Sequence, residues 1–237
     1  MSAAAPNHPI RALSFDLDDT LWPIAPVIER AEAELDAWLR AHCPDVGPAC
    51  SSAALRHARI RLAAERPELA HDHAALRRLT LAHALAPHGY GADLVERAYA
   101  IFDAARHEVE LFADARAALE RCAARYPLAA VTNGTADVAR LGLAGLFAAH
   151  VNAIHAGAPK PAPAIFRRAA EALGVPCAAI VHIGDDPIGD VAGARACGMR
   201  TIWLNRFARG WPLADLAPDL EIATLADLDD ALALLDR

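Results

Sequence analysis

The sequence predicts an α/β fold, a parallel sheet with helices between its strands and an all-helical insertion. Two observations carry this prediction. Short apolar runs of strand length recur, each ending in polar residues, and helix-length segments separate the later ones. The span from about residue 23 to about 110 breaks that alternation, with helical periodicity throughout and no strand signal.

The strand-like runs are "IRALSF" before Asp16, "LAAVT" before Asn133, "VNAIH" before Ala156, "AAIVHI" before Gly184 and "RTIWL" before Asn205. The helical segments among them are "ADARAALERCAARYP", "PAPAIFRRAAEALG" and "PIGDVAGARACG". Pro127 and Gly174 punctuate helix ends, and Pro187 suits a first helical turn. In the insertion, Ile24, Ile28, Ala31 and Leu35 repeat at three-to-four spacing, as do Leu94, Ala98, Ile101 and Ala105, so a small bundle is expected. "CPDVGPACSS" and "PHGYGAD" read as loops. The layout is a Rossmann-like parallel sheet core, residues 1–22 and 111–237, with an inserted all-helical cap domain, residues 23–110. Because the insertion follows the first strand, it is expected over that strand's carboxyl end, where open parallel sheets bind ligands.

Composition narrows the function. The 237 residues carry 23 Lys and Arg against 30 Asp and Glu, a net charge of -7, with no basic block, so nucleic acid is not expected as a partner. No uncharged apolar run approaches the roughly 18 residues that a bilayer requires, and "MSAAAPNHPIRALSF" lacks the apolar region of a signal peptide. The five cysteines are scattered without metal-ligand spacing and read as reduced core thiols. A cytoplasmic monomer or homodimer with no membrane partner is expected.

The chemistry concentrates at strand ends. In "FDLDDT", Asp16 and Asp18 stand two apart in an extended segment and face one crevice. Carboxylates that close repel unless a positive charge sits among them, and a hard divalent cation such as Mg²⁺ supplies it. A second cluster, Asp185, Asp186 and Asp190, follows another strand in "IGDDPIGD", so two strand ends can converge on one metal. Between the clusters lie "VTNGT", where Thr132 and the following amides suit phosphate oxygens, and "APKPAP", where Lys160 supplies a fixed positive charge.

Each feature alone has a plainer reading. Leu21 stands where a calcium loop of the EF-hand type needs glycine. "GDDPIGD" alone is a capped helix start, Thr132 a strand end and Lys160 a solvated charge. Asp19 reads as structural, and Asp186 as a cap or a neighbour of the metal. Asn133 is expected to act through its backbone. His71 and His73 point apart on a solvated face, and His155 and His182 lie in strand-like runs. Arg77 and Arg78 are either surface charges or substrate contacts.

Taken together and in this order, "DLDDT", Thr132, Lys160 and "GDDPIGD" resemble the four motifs of the haloacid dehalogenase superfamily, and the resemblance covers nearly the whole chain. It implies Asp16 as a nucleophile that forms an aspartyl-phosphate, and Asp18 as general acid and then base. It implies Mg²⁺ as cofactor, held by Asp16, Asp185 and the backbone carbonyl of Asp18, with Asp190 in an outer position orienting Lys160 or a metal-bound water. Thr132, Asn133 and Lys160 would hold the phosphate. The founding dehalogenases lack an acid two residues after the nucleophile, so Asp18 points to phosphate esters. The helical insertion resembles the superfamily's small helical cap.

Within the superfamily, "FDLDDTLW", "AGAPKP" and "HIGDDPIGDVAGARACGM" are most similar to bacterial phosphatases acting on flavin mononucleotide and 5-amino-6-(5-phospho-D-ribitylamino)uracil. Ala162 and Ala148 depart from that pattern, since many relatives carry acids there. The expected partner is a small phosphorylated metabolite. Other nucleotides, phosphoglycolate and a sugar phosphomutase activity are the alternatives. A non-enzymatic phospho-acceptor fits poorly, because its acceptor follows a later strand, whereas the DxD here follows the first.

Overall fold

The computed structural model describes residues 9–236. The leader-peptide reading rests in part on residues 1–8, which lie outside that range. Six strands form one wholly parallel sheet: β1 (Ala12–Phe15), β2 (Leu128–Thr132), β3 (Ala149–Asn152), β4 (Ile180–Gly184), β5 (Arg200–Leu204) and β6 (Leu220–Ile222), in the order β3-β2-β1-β4-β5-β6. The chain builds outward from β1 to β3, then returns to β4 and builds the other way. That reversal opens a crevice at the carboxyl ends of β1 and β4, the place where doubly wound sheets hold ligands.

Every residue of β1, β2 and β4 is buried, as expected for central parallel strands covered on both faces. Four segments of the chain's remainder form the helical insertion: α1 (Ile24–His42), α2 (Ser52–Glu65), α3 (His73–Leu85) and α4 (Ala92–Arg106). The core carries α5 (Ala115–Ala123), α6 (Ala153–Ala156), α7 (Pro163–Leu173), α8 (Gly193–Ala196) and α9 (Leu228–Leu235). Contacts divide the chain into two compact units. One comprises the described residues up to Pro23, Glu110–Asn133 and those from Asp137 onward; the other comprises Ile24–Val109 with Gly134–Ala136.

In the helical unit, Ala31, Leu35 and Leu39 of α1 join Ala98, Phe102 and Ala105 of α4 in one apolar cluster. Buried Glu32 draws Arg56 at 2.5 Å, Arg59 at 3.3 Å and Arg77 at 3.9 Å. Arg77 lies over the Phe102 ring, 3.3 Å from its centroid, and Arg78 over Tyr99 at 3.6 Å, so both arginines are engaged within their own unit. Burial, followed by repulsion from Arg59, pulls Arg77 down to about 9. "HDH" is a helix start: the Asp72 carboxylate accepts from the Ala75 amide at 2.8 Å and caps α3.

Three expectations need correction. The run "VNAIH" is a strand only to Asn152, whose side chain accepts from the His155 amide at 2.9 Å and starts α6, so His155 is helical. "CPDVGPACSS" is not simply a loop, because Pro44–Cys50 forms kinked 3₁₀ turns. "PIGDVAGARACG" is not one helix: Pro187–Ala192 is a wide π turn, in which the Val191 amide reaches back to the Asp186 carbonyl, and α8 follows it. The edge strand β6 escaped prediction because three residues carry too little pattern. Ala162 stands at the N-cap of α7, and no side chain caps that helix.

Asp114, just before α5, joins three loops of the core. Arg206 grips it through two bonds of 2.9 and 3.0 Å, the Leu225 amide donates at 2.7 Å and the Thr224 hydroxyl at 2.5 Å. Arg206 also donates to the Thr20 carbonyl at 3.2 Å, in the loop after β1. Burial alone would raise the Asp114 carboxyl, but Arg206, Thr224 and the Leu225 amide together hold it below the ordinary range. A depressed acid contributes stability above its unfolded pKa and loses it as pH falls through the folded one. Asp114→Ala is therefore expected to lower unfolding stability by about 3 kcal/mol at neutral pH. In urea melts across pH, the difference from wild type should shrink in strong acid; a constant difference would contradict this account.

Candidate active site

The crevice is built from backbone outward. Phe15 pairs with Ile183 in register, and the Asp16 amide extends the ladder by donating to the Ile183 carbonyl at 2.9 Å. Asp16 and Asp185 thus leave neighbouring strands at the same end. Thr132 ends β2, two residues past the partner of Phe15, and is fully buried. Asp190 returns from the π turn, so that one carboxylate oxygen from each of Asp16, Asp185 and Asp190 lies within 4.8 Å of the others.

Close approach explains two glycines. A Cβ on Gly184 would lie 2.3 Å from the Asp190 carboxylate, and one on Gly193 would lie 2.7 Å from Phe166 and 2.9 Å from the Pro161 backbone. The second contact seats α8 against the segment that carries Lys160.

The Lys160 ammonium is buried between two acids, ion-paired with Asp16 and with Asp190, the latter at 2.6 Å. Asn133 holds Lys160 in place through its amide, which accepts from the Lys160 N–H at 2.7 Å and donates to its carbonyl at 3.0 Å. The expectation that Asn133 works through its backbone therefore misses what its side chain does. Asp186 is a cap, accepting from the Ile188 and Gly189 amides at 2.8 and 3.0 Å, and its own amide donates to Asp190 at 2.9 Å.

Behind these groups runs a buried polar chain. His182 Nε2 lies 3.1 Å from Asp190, and its Nδ1 lies 2.8 Å from the Ser14 hydroxyl. An ionised Asp190 only accepts, so Nε2 carries the proton and Nδ1 accepts from Ser14. Burial, opposed by Asp190, lowers the His182 pKa and keeps the ring neutral. His182 is a packed, hydrogen-bonded residue of β4, and it also orients Asp190.

Electrostatics separates the acids. Burial works against charge on Asp190, yet Lys160 and His182 outweigh it and hold that carboxyl far below the ordinary range. Burial works against Lys160 as well, and Asp16 and Asp190 outweigh it, raising its pKa. Asp16 shares the ammonium but has fewer donors, Lys160 and Thr20 at 3.4 Å, so burial raises it well above normal, with Asp190 and Asp185 adding repulsion. Asp185 is pushed up to about 6 by burial and Asp190, against the pull of Arg209 at 2.8 Å. Two raised carboxyls and one ionised carboxylate, all oxygen donors, fit a small hard cation, which would favour their charged forms.

Asp18 sits apart from that acid group, its carboxylate accepting from Trp22 Nε1 at 2.9 Å. Asp19 takes a left-handed backbone, φ 58°, and its amide donates to the Trp22 carbonyl at 2.8 Å, which makes it part of the turn. Sequence reasoning missed Arg209, Ser14 and Thr20. The signal for Arg209 was its place in the loop after "RTIWL", a strand that ends beside Asp185. Trp203 of that strand donates to the Asp185 carbonyl at 2.8 Å.

The sequence pattern of the haloacid dehalogenase-like hydrolases matches residues 10–198. The chain belongs to that family. It is 32% identical over 227 residues, 92% of this chain and 94% of the relative, to 5-amino-6-(5-phospho-D-ribitylamino)uracil phosphatase YigB of Escherichia coli (strain K12). A crystal structure of a 2-haloacid dehalogenase from Pseudomonas syringae pv. Tomato DC3000 is 42% identical, with a TM-score of 0.89, covering 95% of this chain and 99% of that one. A haloacid dehalogenase phosphatase from Thermococcus onnurineus is 26% identical, with a TM-score of 0.66 over 94% and 98%. This hydrolase contains no helix long and apolar enough to cross a membrane among its described residues.

Proposed function

We propose that this hydrolase is a Mg²⁺-dependent phosphomonoesterase for a small metabolite, working through an aspartyl-phosphate on Asp16. The observation that carries the reading is the juxtaposition of Asp16, Lys160, Asp185 and Asp190 at the switch point of the sheet, with Asp18 two residues after Asp16. Asp16 attacks phosphorus as the ester P–O bond breaks, and Asp18 gives its proton to the leaving oxygen. Asp18 then takes a proton from the water that attacks the aspartyl-phosphate, which releases orthophosphate and restores Asp16.

Thr132, Asn133 and Lys160 hold the phosphoryl oxygens, and Asp190 keeps Lys160 charged and aimed at Asp16. Asp16, Asp185 and the Asp18 carbonyl would hold Mg²⁺, with Asp190 in an outer position, and the cation would offset charge on the nucleophile and the phosphoryl group. The similarity to the YigB phosphatase over nearly the full length favours flavin mononucleotide or 5-amino-6-(5-phospho-D-ribitylamino)uracil as substrate. The neighbour called a dehalogenase favours a second reading, displacement of halide from a 2-haloacid. Asp18 speaks against it, because alkyl halides leave without needing a proton.

Phosphate release across a metabolite panel, with and without Mg²⁺, tests the reading. A Mg²⁺-dependent preference in kcat/KM for the two riboflavin-pathway phosphates is expected. Halide release from 2-chloropropionate without phosphate release would overturn it, and a preference for phosphoglycolate, another nucleotide or a sugar phosphate interconversion would reassign the substrate.

The metal can be tested apart from turnover. Asp185 is raised to about 6, so without metal its ionisation costs stability as pH rises through that value from the ordinary carboxylate range. Binding needs the ionised form, so Mg²⁺ affinity should strengthen as pH rises toward the Asp185 value, with this one group contributing up to about tenfold per pH unit. Thermal melts should show a larger Mg²⁺-induced rise at pH 7.5 than at pH 5; equal rises would contradict ligation by Asp185.

A further inference from the structure

Two of the five cysteines stand in a geometry that the hydrolytic site does not use. Cys177 lies in the turn leading into β4, and Cys197 is the C-cap of α8, which leads into β5. β4 and β5 are parallel neighbours with Val181 opposite Arg200, so the two lead-ins arrive side by side. Their sulfur atoms are 2.7 Å apart. A disulfide bond is about 2.05 Å long, so closing one requires an approach of roughly 0.7 Å.

Access also sets this pair apart. Cys43, Cys50 and Cys122 are buried, whereas Cys177 and Cys197 are only half-buried at the edge of the cluster formed by Ala170, Ile180 and Met199. Reduced core thiols therefore describe three of the five. All five are free thiols in this structure.

We propose that Cys177 and Cys197 form a reversible dithiol/disulfide site that takes a low-molecular-weight disulfide as its oxidant. Cys177, as its thiolate, attacks one sulfur of the oxidant, forms a mixed disulfide and expels the first small thiolate. Cys197 then gives up its proton and attacks Cys177 Sγ, which forms the protein disulfide and expels the second. The two protons lost by the cysteines go to the two leaving thiolates, and the two electrons reduce the oxidant to two small thiols. Burial and the contact with Cys177 push the Cys197 thiol up to about 12, which suits it to the second attack, after Cys177 has formed the mixed disulfide.

The bridge closes the loop from residue 177 to 197, which contains β4, Asp185 and Asp190. It forms at the amino end of β4, whereas the carboxylates follow the opposite end. Its effect is therefore expected on the unfolded chain, whose freedom it restricts.

The full chain would be incubated folded with oxidised glutathione, alkylated, unfolded and digested with trypsin. Cleavage after Arg195 places the two cysteines in separate peptides. The expected result is a peptide pair linked through Cys177 and Cys197, loss of two of the five titratable thiols, reversal by dithiothreitol, and an unfolding midpoint raised by about 5 °C. Cys197→Ser, which lacks the second attacking sulfur, should instead retain glutathione on Cys177. Glutathione adducts on wild type without the link, five thiols still titratable after oxidation, or a link only between other cysteines would overturn the proposal.

Discussion

Asp16→Asn is expected to reduce phosphate release by roughly 10⁴-fold or more, the scale seen when a nucleophile is removed from a preorganised site. The amide nearly matches the carboxylate in shape, so the ladder bond from the Asp16 backbone to Ile183 and the fully buried β1 should persist. The side chain, however, cannot form the acyl phosphate. Single-turnover phosphate release, run beside a circular dichroism melt, separates these effects. A folded variant with wild-type turnover would remove Asp16 from the chemistry and with it the aspartyl-phosphate route.

Lys160→Met should be nearly as damaging, and for a second reason. It removes the positive charge proposed to hold the phosphate, and it leaves Asp190 and Asp16 facing one another without the ammonium that now pairs with both. Breaking a buried ion pair by removing one partner costs about 3–5 kcal/mol. A base whose pKa is raised contributes fully below its unfolded pKa and loses that contribution only as pH rises through the folded one, so the whole neutral range carries it. On acidification the variant's orphaned carboxyls take up protons and the gap to wild type narrows. Urea melts at pH 7.5 and 4.5 would show this; a gap that widens in acid would contradict the charge-pairing account.

The two substitutions differ in what they expose. Asp16 already has a raised carboxyl, so its replacement relieves repulsion from Asp185 and Asp190 while losing a partner of Lys160. Lys160 has no such offset. Asp16→Asn should therefore be the less destabilising of the two, although both are expected to lose nearly all activity.

The strand ends were legible because apolar runs stop where polar chemistry begins, and Asp16, Thr132 and Asp185 each stand at such a stop. Lys160 was legible through its company of prolines, in a segment that presents a single cation. His182 could be read only as a packed strand residue, because nothing in "IVHIG" shows that Ser14 lies across the ladder at 2.8 Å. The π turn was invisible for a similar reason. Its wide backbone coincides with the Asp186 cap and the Lys160–Asp190 pair, and helical periodicity carries no trace of either.

By itself the sequence determined the α/β class, the helical insertion and the residue types of the site, because burial periodicity and strand-end acids are local properties of the chain. Tertiary structure alone decided the division of labour. Asp190 became the ionised partner of Lys160, Asp185 the raised acid beside Arg209, Asn133 the clamp on the Lys160 backbone, and Cys177 the neighbour of Cys197. Each of these outcomes depends on charge and distance between segments that lie apart in the chain and that the parallel sheet brings side by side.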